Sequence, residues 1–165
     1  MKCSTFIALF SFSFAVIADF DMYHGKWMVL GEFEVDRDIW QIFQTDPNCD
    51  QAWNTPVTDD SYDVSGNKLG VRCVGSGCDG SNDPWDIDLV EMHYSNNPLY
   101  HWTIYKNRDS YAMIGLDGRV YGNCDPFPSV SYYCPQFASW IRGDRKFRCY
   151  TQFTAAQINE GRNNH

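Results

Sequence analysis

From Gly25 to Phe33 the chain alternates, so that Gly25, Trp27, Val29, Gly31 and Phe33 fall on one side of an extended segment. A period of two is the mark of a strand with one buried face. Gly25 lets the backbone pass close to a neighbour, and Trp27, two residues on, lands on the same face as a large plug. One such strand cannot stand alone, and the remaining chain supplies partners. Ser61–Ser65 and Lys68–Val74 flank Gly66-Asn67, the pattern of a hairpin. Trp85–Leu89 and Val90–Tyr94 alternate on opposite parities, which predicts a bulge near Leu89 or Val90. Tyr100, Trp102 and Ile104 share a face, and two short strands flank Asp117-Gly118, a strong hairpin signal.

Strand-like segments joined by turns, with no long helical period and no internal repeat, indicate an all-β antiparallel fold. An up-and-down barrel of about eight strands leaves room for one small ligand. A β-sandwich has the same strand count but gives no reason for Gly25 and Trp27. The segment from Glu34 to Gln44 loses the period of two and reads as a long loop or a helical turn carrying Trp40 and Phe43. Thr154–Ile158 is the one helical stretch expected in the polar tail.

A short acidic and aromatic lead-in, then Gly25-Lys26-Trp27 and an alternating strand, resembles the opening of lipocalins. Asp109-Ser110-Tyr111-Ala112 is similar to half of the second lipocalin segment, whose other half is Lys106-Asn107-Arg108 here. The resemblance implies that Trp27 closes the floor of a barrel and that an arginine near the last strand stacks on it. Two registers compete for that strand: Arg119–Asn123, or Phe137–Ile141 followed by Arg142 or Arg145. Arg142 is the arginine nominated for that stacking. The same resemblance makes the segment after the first strand a lid, placing Trp40, Phe43 and Trp53 at the mouth; the alternative is that they cap a small satellite core. Strand parity then nominates the cavity lining: Val29 and Phe33 from the first strand, Met92, Tyr94, Tyr100, Trp102 and Ile104 from the middle strands, and Tyr111 and Met113 after them, with Trp40 at the mouth.

Met1–Thr5 with one lysine, an apolar run to Ala18 and the Val16-Ile17-Ala18 ending have the three parts of a secretory signal peptide, with a single barrel domain over 19–165. That run is shorter than the roughly 20 apolar residues needed to cross a bilayer, so the expectation is a secreted protein without membrane insertion. Losing the leader removes Cys3 and leaves Cys49, Cys73, Cys78, Cys124, Cys134 and Cys149, an even set that reads as a disulfide framework. The expected bridges are Cys73–Cys78 and Cys124–Cys134, with Cys49–Cys149 the one the lipocalin resemblance implies. A net charge of −8 argues against nucleic acid and against anionic lipid.

No nucleophile elbow, phosphate loop, metal-ligand spacing or cofactor motif appears. Asp86, Asp88, Glu91 and His93 beside the aromatic strands are the only acid–base cluster, and on the wet face of a strand they would be ordinary surface groups. Three functions fit the sequence. The first is a carrier enclosing a small hydrophobic molecule of the fatty acid, retinoid, pigment or odorant class. The second is an enzyme on the same barrel using that cluster. The third is an extracellular protein-interaction module, because 16% aromatic residues exceed what a small core needs.

Overall fold

The computed structural model describes residues 18–31 and 34–163. The alternating stretch is strand only from Gly25 to Val29, the second half of a longer strand, β1 (Ala18–Val29); Gly31 lies past its end, and β2 (Val35–Phe43) runs back along it from Val35 opposite Val29 to Phe43 opposite Asp21. The loop or lid expected over 34–44 is therefore a strand. Its alternation is hidden because Ile39 to Phe43 are buried on both faces, and a doubly buried strand has no polar side to mark the period. Gly25 makes the close approach expected of it: a Cβ there would sit 1.8 Å from the carbonyl oxygen of Arg142.

The remaining elements follow in order: α1 (Cys49–Asn54), β3 (Thr58–Asp59), β4 (Gly70–Gly75), β5 (Ile87–His93), β6 (His101–Tyr105), β7 (Ala112–Gly115), β8 (Val120–Pro126), β9 (Ser131–Gln136), β10 (Ser139–Thr151) and α2 (Ala155–Asn163). The strands form one path, β3-β2-β1-β10-β8-β7-β6-β5-β4, whose neighbours are all antiparallel. A parallel bridge between Asp60 and Val71 brings its two ends together into a nearly closed barrel. β9 continues the track of β8 along the same long strand, so β10 pairs with β8 over Phe147–Thr151 and with β9 over Ser139–Asp144. This is the antiparallel barrel expected, and it rules out the sandwich.

Asp117-Gly118 turns β7 into β8 with Gly118 at a φ of 78°, the left-handed conformation glycine adopts freely. Gly66-Asn67 does not make the expected hairpin. The Asp63 carboxylate instead accepts from the amide of Ser65 and from the Lys68 ammonium, a local turn that leaves 61–69 outside the sheet. Trp85 lies in a short helical turn, Pro84–Asp86, rather than in a strand. The register shift beside it, with Leu89 opposite Val74 and Ile87 opposite Gly75, skips Asp88 and lets Ile87 and Val90 share the interior.

A second shift lies in β10, where Phe147 faces Met22 but Arg145 faces Tyr23. The extra residue, Lys146, reverses the parity of the strand. Arg145 and Arg148, three apart, thereby reach one carboxylate. Asp21, 0% exposed, accepts from Arg148 Nε and Nη2 at 2.7 Å each and from Arg145 Nη1 at 3.2 Å. Arg145 also donates to Asp46 and to the carbonyl of Phe127.

The strands bury two clusters on opposite faces. The barrel interior holds Phe20, Met22, Trp40, Met92, Trp102 and Phe147 among others, and Phe153, Ala155 and Ile158 join it from α2 and the residues leading into it, plugging one end. Outside, Tyr23, Ile39, Phe43, Tyr132 and Ile141 pack with Ala52 of α1, and Trp53 lies against them. Phe43 and Trp53 thus cap a satellite core rather than a mouth.

Three disulfides are present, Cys49–Cys134, Cys73–Cys78 and Cys124–Cys149. Only Cys73–Cys78 matches expectation. Cys124 and Cys149 are direct partners across β8 and β10, which removes both from the pairings expected for them. Cys49, at the start of α1, lies against β9 and takes Cys134. Bridges of this kind persist in an oxidising compartment.

An unreduced digest should yield those three linked peptides and no Cys49–Cys149 pair. Asp21→Asn should lower unfolding stability by about 3 kcal/mol, read from urea midpoints, because it removes the buried charge shared by Arg145 and Arg148 and leaves Arg145 only the exposed Asp46.

Candidate functional site

Strand parity put most of the nominated residues on the inward face of the sheet. Met92, Tyr94, Trp102, Ile104, Tyr111 and Met113 all belong to the interior cluster, joined by Trp40 from β2, and Tyr100 packs half-buried against it. Val29 does not: it is half-buried at the far end of β1, paired with Val35 and Ser139. Phe33 lies outside the described residues, as does most of the proposed leader.

Trp27 does not floor the barrel. It is on the outer face with Ile141 and Tyr132, and Arg37 of β2 lies 5.6 Å from its ring centre. Arg142 faces the other way, 5.7 Å over the ring of Trp140. The parity of β1 was right, but parity does not say which face turns inward. The indoles inside are Trp102 and Trp40, the latter with its ring centre 4.9 Å from His24 at a tilt of 51°. Asp86 and Asp88 are exposed, while Glu91 pairs with Arg72 and His101. His93 is buried, stacked on His101 at 4.2 Å with Nδ1 at the carbonyl of Val64. The four residues of the acid–base cluster therefore do not converge.

What the sequence did not single out is the group at the open end. β1, β2, β9 and β10 run past the barrel there, and the face continuing its wall carries His24 and Lys26 from β1, Asp38 and Trp40 from β2, and Arg142 and Asp144 from β10, aligned in cross-strand rows. Opposite hangs the turn from Ser76 to Asp86, closed on β4 by Cys73–Cys78. Lys146, freed by the bulge and 1% exposed, pins this turn: its ammonium donates to the carbonyls of Gly77 at 2.7 Å and Asn82 at 2.9 Å. Burial lowers its pKa, with Asp144, Asp79 and Asp83 pulling the other way. The one sequence signal was the charged run Asp144-Arg145-Lys146 entering a core strand.

His24 is buried, and its Nδ1 has no hydrogen-bond partner among the described residues. Desolvation first, then the nearby Lys146, lowers its pKa to about 4, so it stands neutral at physiological pH. Trp40 Nε1 donates to Asp60 at 3.2 Å, and burial raises the pKa of that carboxylate. Deeper in, the Trp102 indole is 0% exposed between Tyr100 and Phe153, and its Nε1 also lacks a partner among the described residues. The arrangement is an apolar, aromatic interior with isolated hydrogen-bonding atoms under a polar rim.

No family model, curated protein or solved structure matches the chain. Its class is therefore defined by geometry, as a disulfide-tied antiparallel barrel with a polar mouth and an aromatic interior.

A folded-state His24 that resists protonation costs stability wherever the unfolded chain would take the proton. Stability from this group is complete above about pH 6.5, falls as the pH drops toward 4 and levels off below. The span is up to about 3 kcal/mol. His24→Phe, which keeps a ring against Trp40, should flatten that slope in urea midpoints measured from pH 7 to 4.

Proposed function

We propose that this chain is a secreted carrier of lipocalin type, taking a small, mostly apolar molecule with one hydrogen-bond acceptor into the barrel. The observation behind this reading is the Trp102 Nε1, a buried donor with no protein acceptor among the described residues, set in an aromatic interior. A buried N–H left unpaired costs roughly 1–3 kcal/mol, which a ligand oxygen would recover. Affinity would come from apolar burial at about 25 cal/mol per Å², and orientation from the indole. Met22, Met92 and Met113, all fully buried in the interior, supply unbranched side chains that can yield to a guest. The three disulfides fit passage through an oxidising compartment.

The second reading, contact with another protein, is favoured by the hairpin tips beyond the mouth. Leu30 and the fully exposed Phe137 lie there, joined by the Leu30 amide donating to Ala138. Isolated exposed apolar residues are common on any surface, so this remains second.

The carrier reading is tested by titrating tryptophan fluorescence with palmitate, retinol, a medium-chain aldehyde and matched hydrocarbons, alongside mass analysis of an organic extract of the purified protein. At least one acceptor-bearing compound should bind stoichiometrically. Trp102→Phe should weaken it about two- to tenfold and leave the hydrocarbon unchanged. An empty extract and a silent panel would overturn the proposal.

A further inference from the structure

The rim of the barrel holds a groove, separate from the packed interior. Between the turn at Asp79–Asn82 and the face of β9 and β10 lies a cleft of about 480 Å³, within the range of small-ligand sites. A neighbouring cleft of about 270 Å³ shares Ser81, Asn82, Ser131 and Asp144 with it, so the two form one groove.

Its charged groups act on Lys146 through space but keep open hydrogen-bonding positions. The carboxylates of Asp79 and Asp144 accept no hydrogen bond from the described residues, although both line the groove. Arg142, on the same face as Asp144 and two residues before it, pairs with no carboxylate among them and only lies over Trp140. The groove thus presents acceptors and donors side by side, with the side chains of Ser81, Asn82 and Ser131 between them. The two carboxylates are matched in number by Arg142 and the buried Lys146 behind it, so the groove carries no net charge that would favour an ion of either sign. A neutral ligand dense in hydroxyls satisfies both sets, because each hydroxyl can donate to a carboxylate and accept from the guanidinium.

The groove also has an aromatic platform. Tyr133 is 61% exposed, opposite Arg142 across the strands and 6.1 Å from Trp140. Such a ring offers an apolar face to the C–H side of a sugar. Cys134, next in the chain, anchors this strand to α1 through Cys49, so the ring is carried on a rigid element.

We propose that the rim groove binds a neutral saccharide of one or two rings, with Tyr133 as the stacking platform and Asp79, Arg142 and Asp144 as the hydrogen-bonding set. The intact protein is titrated by calorimetry and saturation-transfer NMR with maltose, cellobiose, lactose and N,N′-diacetylchitobiose, with glucuronic acid and glucosamine as charged controls. At least one neutral sugar should bind with a Kd below about 1 mM. Tyr133→Ala and Asp79→Asn should each weaken it about tenfold or more, and neither control should compete. Trp102→Phe should leave sugar binding unchanged, and Tyr133→Ala should leave uptake of the apolar ligand unchanged, so either site can fail alone. No neutral sugar binding below about 10 mM, preference for a charged control, or indifference to both rim variants would overturn the proposal.

Discussion

One carboxylate sets the geometry of the wall. Asp21 is sealed from solvent and must have cationic partners, and residues three apart on a regular strand face opposite ways. The extra residue in β10 resolves this by turning Arg145 and Arg148 to the same side. Other features follow from it. Phe147 and Cys149 are delivered to the interior, and Lys146 is left where it can hold the mouth turn. Arg145 also grips the Phe127 carbonyl and lies 4.3 Å over its ring, at the break where β8 hands over to β9. Burying ions is costly, but three N–H donors to one carboxylate make any other register of β1 on β10 costlier still.

Residue patterns disclosed the parts of the fold where one face is wet. The glycine approach at Gly25, the turn at Gly118 and the shared face of Met92, Trp102 and Met113 all follow from local chemistry. Elements buried on both sides did not announce themselves. β2 lost its period because Ile39 and Phe43 fill the outer core while Trp40 and Ile42 fill the inner one. The same ambiguity put Trp27 on the wrong side, since its strand has apolar residues facing both ways. The mouth was illegible for a different reason. His24, Asp79, Asp144 and Lys146 come from three distant stretches, and only the bulge and the pinned turn bring them together.

The two proposed sites divide the molecule by polarity. Apolar rings fill the barrel up to Trp40 and His24, and above that level the same strands carry paired and unpaired charges. A ligand entering from the mouth would cross from a hydroxyl-matching surface to a hydrophobic one within a few residues of β1.

The seam that completes the cylinder is its weakest part. β3 contributes only two residues, and the junction rests on the Asp60–Val71 bridge and the Ser61 amide donating to Val71. The disulfides join β4 to its own following turn, α1 to β9 and β8 to β10, so no covalent tie crosses it. With α2 stoppering one end and the pinned turn set over the other, this seam closes the cylinder through backbone pairing and side-chain packing alone.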